Sequence, residues 1–497
     1  MQYGFVIDHD NCIGCHACTV ACKSENDVPV SNFRTSVKYV EEGTYPAIKR
    51  HFLVQRCNHC SDAPCVTICP VNALEKRDDG IVDIDRDACI GCRACMQACP
   101  YDAIYLNEDK GAVEKCHFCA HRVEQNLEPA CAVVCPTNAI IAGDLDDPHS
   151  KVSLLVANNP TQVRRPEQGT SPNVHYKGAA DIALHPGRAA RPDTYLFSQR
   201  HATKPEPWPA AVPTTPDTRV VLDVGHRVEW GWPVALYLVT KSIAAGGAIL
   251  APFAALLGLE GFGARWLPEL LALVFTVITL FLLVEDLARP MRFYRLLTRP
   301  NWKSWLVKGG IVLGAFTALT TAILVLHLIG SSELAASNTA DRVAEWLRWP
   351  NAVLGLLVAG YTAFLFAQCK GRDLWESRLL LPHLLVLAVL AGAVALLPAS
   401  GSILLAGIGV LAIFGHLGFA CLERWGAHET DNATQAAGFL GVVRLWGAPA
   451  FTYGLVLLLL GAATLFIAPA IGWVPVLLGL FYYEHAYVRA AQLPPLS

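Results

Sequence analysis

Cysteines are the residues of this chain whose type and spacing most clearly predict chemistry. Sixteen of the eighteen lie between Cys12 and Cys135, in four groups of four. Their thiolates can bind zinc or iron–sulfur clusters, or can be oxidised to disulfides. The groups are Cys12-x2-Cys15-x2-Cys18-x3-Cys22, Cys57-x2-Cys60-x4-Cys65-x3-Cys69-Pro70, Cys89-x2-Cys92-x2-Cys95-x3-Cys99-Pro100 and Cys116-x2-Cys119-x11-Cys131-x3-Cys135-Pro136.

Iron–sulfur ligation fits this spacing better than the other two chemistries. Disulfide frameworks belong to secreted proteins, and residues 1–8 contain no basic stretch, apolar core or twin arginine that would predict export. Zinc sites use C-x2-C pairs but do not call for third and fourth cysteines at these repeated offsets. The C-x2-C-x2-C-x3-C-P run is typical of bacterial ferredoxins, in which the fourth cysteine binds the other cluster of a pair. The sequence therefore predicts [4Fe–4S] clusters.

Tight loops and short helices must position these thiolates. Three closely spaced cysteines can surround one face of a cluster only if the loop curls, and Gly14 and Gly91 stand where it needs a small residue or positive φ. We expect the fourth cysteine of each group on the short helix that follows. Proline after that cysteine turns the chain away, except in the first group, where Lys23 takes its place.

Apolar runs dominate the chain after Trp232, and eight are candidates to cross a bilayer, which takes about 20 residues. A buried soluble core is the alternative, but so many runs in one half of a chain favour a membrane domain. The net charge of −3 gives no sign of a nucleic-acid partner. The predicted spans are about 233–257, 267–287, 305–330, 351–369, 379–397, 402–421, 450–470 and 473–490.

A proline-rich segment separates the two halves. Residues 181–222 carry seven prolines, from Pro186 to Pro216, with little apolar periodicity, which predicts an extended linker. We therefore divide the chain into a cysteine-rich head (residues 1–180), a linker (181–222) and a membrane half (223–497).

Basic residues predict the orientation of the membrane half. With an even number of spans, the linker, alternate loops and the C-terminus share one side, which carries fourteen basic residues against three on the other. Because cytoplasmic loops are enriched in Lys and Arg, we predict a multi-pass protein of the cytoplasmic (inner) membrane with its head in the cytoplasm. The fourteen are Arg219, Arg227, Arg289, Arg292, Arg295, Arg299, Lys303, Lys308, Lys370, Arg372, Arg378, Arg424, Arg444 and Arg489; the three are Arg265, Arg342 and Arg348.

Ionisable residues within membrane spans are costly and are functional candidates by default. Most of them lie in the half of the bilayer nearer the head, with His327 as the main exception, and this clustering argues against a continuous proton channel. Some are explained by side chains reaching the interface from helix ends. The set is Lys241, Glu285, Asp286, His383, His416, Glu423, Glu484 and His485.

The head resembles the four-cluster electron-transfer subunit of dimethyl-sulfoxide, thiosulfate and polysulfide reductases and related molybdopterin enzymes. The resemblance covers about residues 1–177 and includes Cys57-Asn58-His59-Cys60, Pro64-Cys65-Val66 and Gly143-Asp144-Leu145-Asp146-Asp147-Pro148. It implies four [4Fe–4S] clusters, with the first cysteine group paired to the fourth and the second to the third. The implied ligand sets are set I (Cys12, Cys15, Cys18, Cys135), set II (Cys116, Cys119, Cys131, Cys22), set III (Cys57, Cys60, Cys65, Cys99) and set IV (Cys89, Cys92, Cys95, Cys69).

The membrane half resembles the NrfD-like membrane subunit of polysulfide reductase. The resemblance rests on residues 232–247, on Glu285-Asp286-Leu287-Ala288-Arg289-Pro290-Met291-Arg292-Phe293, on residues 361–375 and on residues 489–497. It implies no haem and an exchange of electrons with membrane quinone or menaquinone near the side that bears the clusters. The implied fold is an α+β ferredoxin-like double two-cluster domain followed by an all-α bundle of eight transmembrane helices.

Together these resemblances imply an iron–sulfur and quinone-reactive subunit of an oxidoreductase. It would relay electrons between membrane quinone and a separate molybdopterin (Mo or W) catalytic subunit, whose substrate the sequence leaves open. An anchor and electron wire without quinone chemistry, or a proton-translocating module, are the alternatives. No catalytic residue is predicted in this chain. The candidates for the quinone site are His226, Lys241, Glu285, Asp286, Arg289, Tyr361 and His383, with pairing of Lys241 to Glu285 or Asp286 as a structural alternative.

Overall fold

The computed structural model describes residues 1–191, 214–225, 227–331 and 337–496. The strands are β1 Tyr3–Asp8, β2 Thr35–Glu42, β3 Lys49–Arg56, β4 Leu74–Lys76, β5 Val82–Ile84, β6 Ile104–Asn107, β7 Ala112–Lys115, β8 Ile140–Asp144, β9 Thr161–Gln162, β10 Val174–Lys177, β11 Thr218–Leu222, β12 Arg444–Leu445 and β13 Ala448–Pro449. The helices are α1 Ala17–Glu25, α2 Pro64–Ile68, α3 Ala94–Ala98, α4 Ala120–Val123, α5 Ala130–Val133, α6 Lys151–Asn158, α7 Asp181–Leu184, α8 Trp232–Leu250, α9 Gly261–Arg265, α10 Leu267–Glu285, α11 Arg295–Thr298, α12 Trp305–Gly330, α13 Ser337–Ala367, α14 Leu380–Ser400, α15 Ile403–Trp425, α16 Asp431–Leu440, α17 Ala450–Ile467 and α18 Pro469–Ala490.

Two sheets and two hairpins form the head. The larger sheet has the order β8-β1-β10-β9, with β1 parallel to β10 and antiparallel to β8. Five of the six residues of β1 are buried, as expected for a central strand covered on both faces. The smaller sheet has the order β11-β2-β3, and the hairpins are β4-β5 and β6-β7.

The cysteine loops repeat the same backbone turn. Gly14 and Gly91 have φ of 68° and 72°, which confirms the predicted positive φ, and His16 and Arg93, two residues later, have φ of 62° and 61°. The short helices α1 and α3 begin directly after these residues.

The fourth cysteine of each group lies on a short helix or just after one. Cys69 and Cys99 cap α2 and α3 because proline follows each of them and stops the helix. Cys22 lies inside α1, which continues to Glu25 because Lys23 replaces the proline. The position expected on a helix is thus held by Cys22, whereas Cys69 and Cys99 lie one residue past α2 and α3 and Cys135 lies two residues past α5.

Long helices build the membrane half, as the sequence predicted. Seven of those described are long and apolar enough to cross a bilayer: α8 with the turn after it, α10, α12, α13, α14, α15 and α17. The last predicted span forms α18, which is 22 residues long and carries Glu484, His485 and Arg489 in its C-terminal half, and it is not among these seven helices.

Helix α13 is longer than the predicted span 351–369. It begins at Ser337 and contains Pro350. Its extra turns are polar, but Arg348 is only 3% exposed in its side chain and binds Glu269 of α10 with an Nε–Oε1 distance of 2.6 Å. Paired and hydrogen-bonded charges can be buried, so these turns fold against the bundle instead of forming a loop.

Glycines allow the closest helix approach, between α8 and α14. A Cβ atom on Gly246 would lie 2.0 Å from the Ala388 carbonyl oxygen, and one on Gly392 would lie 2.4 Å from the Gly246 carbonyl carbon. Small residues are typical where membrane helices pack backbone to backbone. This crossing joins α8, which also packs against α10 and α13, to the helices that follow α14.

Loops of the membrane half hold the head through its backbone. The Ala288 and Arg289 N–H groups donate to the Gly91 and Ile90 carbonyls at 3.3 and 3.2 Å. The Asn301 amide donates to the Cys69 carbonyl at 2.8 Å, and the Gly371 N–H to the Gln97 carbonyl at 3.0 Å. The second and third cysteine groups therefore lie against the membrane half.

The described ends of the predicted linker also pack on the head. Strand β11 pairs antiparallel with β2, and Arg191 binds Asp223, which also binds the buried Lys38. Residues 192–213 lie outside the described residues.

We predict that Gly392→Leu destabilises the membrane half, because the new side chain must displace the backbone of α8. Overpacking of this kind costs about 1–3 kcal/mol, and a thermal unfolding curve of the full-length protein in detergent should show it. Gly310→Leu is the matched control, since nothing lies within 4 Å of its Cβ position. Equal melting temperatures for the two variants would contradict the packing described here.

Candidate functional site

Three of the four cysteine sets line cavities in the head. Set IV lines one that encloses about 320 Å³ of empty space, together with Ile90, Gly91 and Arg93. The thiols of sets II and I line two more, of about 270 and 330 Å³. Each cavity draws its cysteines from two sequence groups, in the combination that the resemblance implies.

The four cysteines of set III are likewise together and buried. Cys57, Cys60, Cys65 and Cys99 are 7–8% exposed and lie within electrostatic range of one another. Burial raises the pKa of the Cys60 thiol to about 12. Such a thiol becomes a thiolate only when a metal centre takes the place of the proton.

The sets follow one another in a line from the solvent to the membrane half. Cys18 of set I neighbours Cys131 of set II, and Cys116 of set II neighbours Cys57 of set III. Cys95 of set IV has Cys65 of set III nearby. Cys15, at the outer end, is exposed.

The cavities suit iron–sulfur clusters better than single ions. Among the described residues, no three His, Cys, Asp or Glu side chains are grouped closely enough to hold one metal ion. Backbone N–H groups donate hydrogen bonds to cysteine sulfurs in these sets. The Ala73 N–H donates to Cys69 Sγ at 3.3 Å, and the Ala139 N–H donates to Cys135 Sγ at 3.2 Å. Hydrogen bonds of this kind adjust the potential of a bound cluster.

Aromatic side chains connect set IV to the membrane half. The Trp230 indole N–H donates to the Cys92 carbonyl at 3.3 Å. Its ring stacks on Trp375 at 5.6 Å between centroids, and Trp375 stacks on Phe366 at 4.5 Å. Lys241 lies about 14 Å further along α8 than Trp232, at 1.5 Å per residue.

Lys241 is 1% exposed and hydrogen-bonded inside the bundle. Its ammonium donates to Thr362 Oγ1 at 2.6 Å and to the Ala359 carbonyl at 3.1 Å, and it lies 5.1 Å from the centre of the Tyr361 ring. The alternative in which Lys241 pairs with Glu285 or Asp286 is wrong, because Asp286 instead binds Arg93 of the head at 3.1 Å.

His383 belongs to a second buried polar group. Its Nδ1 lies 2.9 Å from Glu423 Oε1, and its Nε2 lies 2.8 Å from His416 Nδ1. The Tyr483 hydroxyl donates to the other oxygen of Glu423. Glu484 lies within electrostatic range of both His383 and Lys241, so the two groups form one polar region in the core of the bundle.

The remaining quinone candidates lie elsewhere. Arg289 donates to the Arg86 carbonyl at 2.8 Å and to that of Lys110, so it docks the head, as Asp286 does. The side chain of Glu285 is exposed. His226 lies outside the described residues. Of the six candidates that the structure describes, Lys241, Tyr361 and His383 share the buried polar region, whereas Glu285, Asp286 and Arg289 lie outside it.

A charged cluster, buried at His327, Arg348 and Glu269 and half-buried at Arg265 and Asp341, also lies at the opposite membrane end, where the sequence suggested mainly His327. Arg265 binds Asp341 at 2.7 Å, and His327 Nδ1 lies 3.2 Å from the same carboxylate. The Arg348–Glu269 pair described above completes it. Ionisable groups thus occur at both ends of the bundle.

The sequence did not single out several of the residues that complete these sites. Thr362 lies in the segment that carries the resemblance but was not singled out, and Tyr483 has no motif; the buried helix faces bring them beside Lys241 and Glu423. Arg56 and Lys115 of the head, which lie among the cysteines, end ordinary-looking strands. Their one sequence signal is a basic residue directly before a cysteine.

Comparisons with known proteins agree with both halves of the chain. Residues 3–24 match a 4Fe-4S binding domain, residues 48–145 a 4Fe-4S dicluster domain and residues 221–407 the polysulphide reductase NrfD family.

Curated relatives each match 35–38% of this chain. A tetrathionate reductase subunit of Salmonella typhimurium is 43% identical over 195 residues, which are 38% of this chain and 78% of that protein. A polysulfide reductase component of Wolinella succinogenes is 40% identical over 179 residues, 35% of this chain and 92% of that one. A sulfite dehydrogenase subunit of Allochromatium vinosum is 35% identical over 206 residues, 37% and 86% of the two proteins.

These matches confirm the resemblance drawn from the cysteine spacing and from the membrane motifs. They also agree with the cysteine-lined cavities and the seven apolar helices. The chain therefore belongs to the family of [4Fe–4S] iron–sulfur subunits of tetrathionate- and polysulfide-reductase type, fused to an NrfD polysulphide-reductase membrane domain.

Proposed function

We propose that this chain relays electrons through four [4Fe–4S] clusters between a separate molybdopterin catalytic subunit and membrane quinone. The observation that carries the proposal is the line of four cysteine sets, which starts at the exposed Cys15 and ends at Cys92, bonded to Trp230. Sets I to IV would each hold one cluster, and each cluster would supply one-electron exchange at its position.

The protein's own residues fix the two ends of this path. At the outer end, the exposed Cys15 side of set I offers a docking surface for the catalytic subunit. At the inner end, Arg93 ties the loop of set IV to Asp286 and to the Glu229 carbonyl. Burial of the cysteines in between keeps water away from the path. The relatives named as components of tetrathionate and polysulfide reductase support a separate catalytic partner, and the resemblance drawn from the cysteine motifs implies that this partner carries molybdopterin.

The quinone headgroup would bind at the buried polar region below set IV. Lys241 offers an ammonium donor beside Tyr361 and Thr362, and His383 with Glu423 can take up or release protons. Quinone reduction consumes two protons with two electrons, so donors near the headgroup serve both binding and chemistry. Asp286 and Arg289 keep docking roles in this proposal.

The head would face the cytoplasm, with eight membrane crossings. An even number is supported by the Leu496 carbonyl, which accepts a hydrogen bond from Arg164 of the head at 2.7 Å. The C-terminal segment and the head then lie on one side, which requires α18 to cross as well. The excess of basic residues on that side supports the cytoplasmic orientation.

Proton movement across the membrane half is a second function that one observation favours. Buried polar side chains follow the inner faces of α8, α10, α12 and α13 between the two charged ends, and each is at most 5% exposed. Asn351 bonds to Thr320, and Thr240 to Thr279 at 2.8 Å. The set is Glu269, Thr276, Thr279, Thr320, Asn351, Thr240 and Lys241.

The first prediction concerns the clusters. Anaerobically purified protein should carry about 16 iron atoms, four for each cysteine set. Cys99→Ala should remove the same spectroscopic cluster signal as Cys57→Ala, and a different one from Cys89→Ala, because Cys99 belongs to set III. Cys369→Ala is the control, since this buried cysteine lies outside the sets. Zinc in place of iron, or about half the iron, would contradict the proposal.

The quinone site can be tested with Lys241→Met. We expect quinone-linked activity in vesicles to fall roughly a hundredfold, as when a general acid or binding group is lost, while electron transfer to an artificial dye persists. Ser242→Ala is the matched control, because among the described residues the Ser242 hydroxyl bonds only to the Leu238 carbonyl of its own helix. Unchanged quinone kinetics with Lys241→Met would place the site elsewhere. Protons moved across the vesicle membrane in excess of the two that each quinone consumes or releases would identify the second function.

The orientation can be tested by fusing reporters after Ser497. An even number of crossings with the head in the cytoplasm predicts that a cytoplasmic reporter works there and that one active only in the periplasm stays silent. The opposite pattern would place the head outside the cytoplasmic face.

A further inference from the structure

Arg56 is a buried cation at the junction between set I and set II. It ends strand β3, is 2% exposed and donates from Nη1 to Cys131 Sγ at 3.1 Å. Its guanidinium carbon lies 4.4 Å from the centre of the Phe5 ring. Cys116 and Cys18 are the next thiols within its electrostatic range.

The guanidinium has unused donors that face the same sulfur-lined space. Its Nε and Nη2 groups are buried and have no protein partner among the described residues. No ion pair joins Arg56 to a carboxylate in the ranges that the structure describes. A buried, permanently charged guanidinium is costly without an anionic partner. A cluster with four thiolate ligands would supply that negative charge and the missing acceptors.

Lys115 is a second buried cation, at the junction between set II and set III. It ends strand β7 and is 1% exposed. Its ammonium donates to the Cys116 carbonyl at 2.9 Å and to that of Val82. Cys57 and Cys65 of set III lie within its electrostatic range. Set II therefore lies between two buried cations.

We propose that Arg56, together with Lys115, raises the reduction potential of the cluster held by set II and makes it the position where an electron rests. The inference depends on the proposed function only in requiring that the clusters are present. Reducing a cluster adds one negative charge, and a cation in a low-dielectric interior stabilises that charge. Hydrogen bonds to the ligand sulfur act in the same direction.

The proposal has a chemical consequence, because the two ends of the path handle electrons in pairs and the clusters between them handle one at a time. Quinone and the partner's substrate exchange electrons in pairs, whereas each cluster carries one. An electron held at set II would wait there until a second one arrives or until the partner accepts it. No bond forms or breaks in this step, and no proton moves with the electron.

The test compares Arg56→Lys with Arg56→Gln in the anaerobically purified complex. The two side chains are similar in length, but only lysine keeps the charge. A redox titration followed by electron paramagnetic resonance should show one cluster with a lower midpoint in Arg56→Gln. We expect a change of at least tenfold in its equilibrium, which is about 59 mV for one electron. In Arg56→Lys the shift should be smaller, and the set IV midpoint should stay unchanged in both.

Arg122→Gln is the matched control. Arg122 lies three residues after Cys119, but its side chain is 25% exposed and pairs with Glu25 at 3.3 Å, so solvent and a carboxylate already screen its charge. Cys119→Ser identifies the set II signal by altering it. Four intact clusters with equal midpoints in Arg56→Lys and Arg56→Gln would overturn the inference. Absent clusters in the unmodified protein would overturn the proposed function instead.

Discussion

The close approach of two backbones at Gly91 is the contact on which the proposed electron path depends. A Cβ atom on this residue would lie 2.5 Å from Ala288 Cβ and 2.9 Å from the Gly111 carbonyl oxygen, so only glycine fits. The same residue needs φ of 72° to curl the loop of set IV. One glycine therefore shapes the ligand loop and lets it reach the membrane half. The rate of electron transfer falls steeply with distance. Sets I to III would therefore exchange electrons with the membrane half only while this contact holds set IV against it.

Docking also changes how the basic residues of the loops should be interpreted. Arg292 and Arg295 donate to the Asp87 carbonyl, and Arg299 binds Asp85. Together with Arg219, Arg227, Arg289 and Arg372, seven of the fourteen basic residues counted for orientation bind the head. Their position is explained by the head's carbonyl and carboxylate groups as well as by the cytoplasmic bias of basic loops. The other seven carry the orientation argument independently.

The sequence predicted best where one local rule decides the outcome. Cysteine spacing with glycine and proline at fixed offsets is such a rule, and apolar runs of membrane length are another. The buried polar region was harder, because Lys241, His383 and Glu423 come from three helices that are distant in sequence. The same reason applies to Asp286 and Arg289. Their charges suggested a quinone site, but in the structure they bind head residues, and no local sequence pattern reveals those partners. The early start of α13 depends on the tertiary pairing of Arg348 with Glu269.

Noncovalent contacts hold the head against the membrane half, and this bears on the question of why the two share one chain. Two curated relatives match 38% and 35% of this chain and are themselves covered over 78% and 92% of their length, so the matched module makes up most of each of those proteins. Here the loops after α10 and α13 and the C-terminal segment already fix its position. A tether adds high effective concentration when binding is weak, but it adds little to an interface built from so many backbone hydrogen bonds. Carrying both modules on one chain therefore fixes their ratio at one to one, while the contacts between their surfaces fix their relative position.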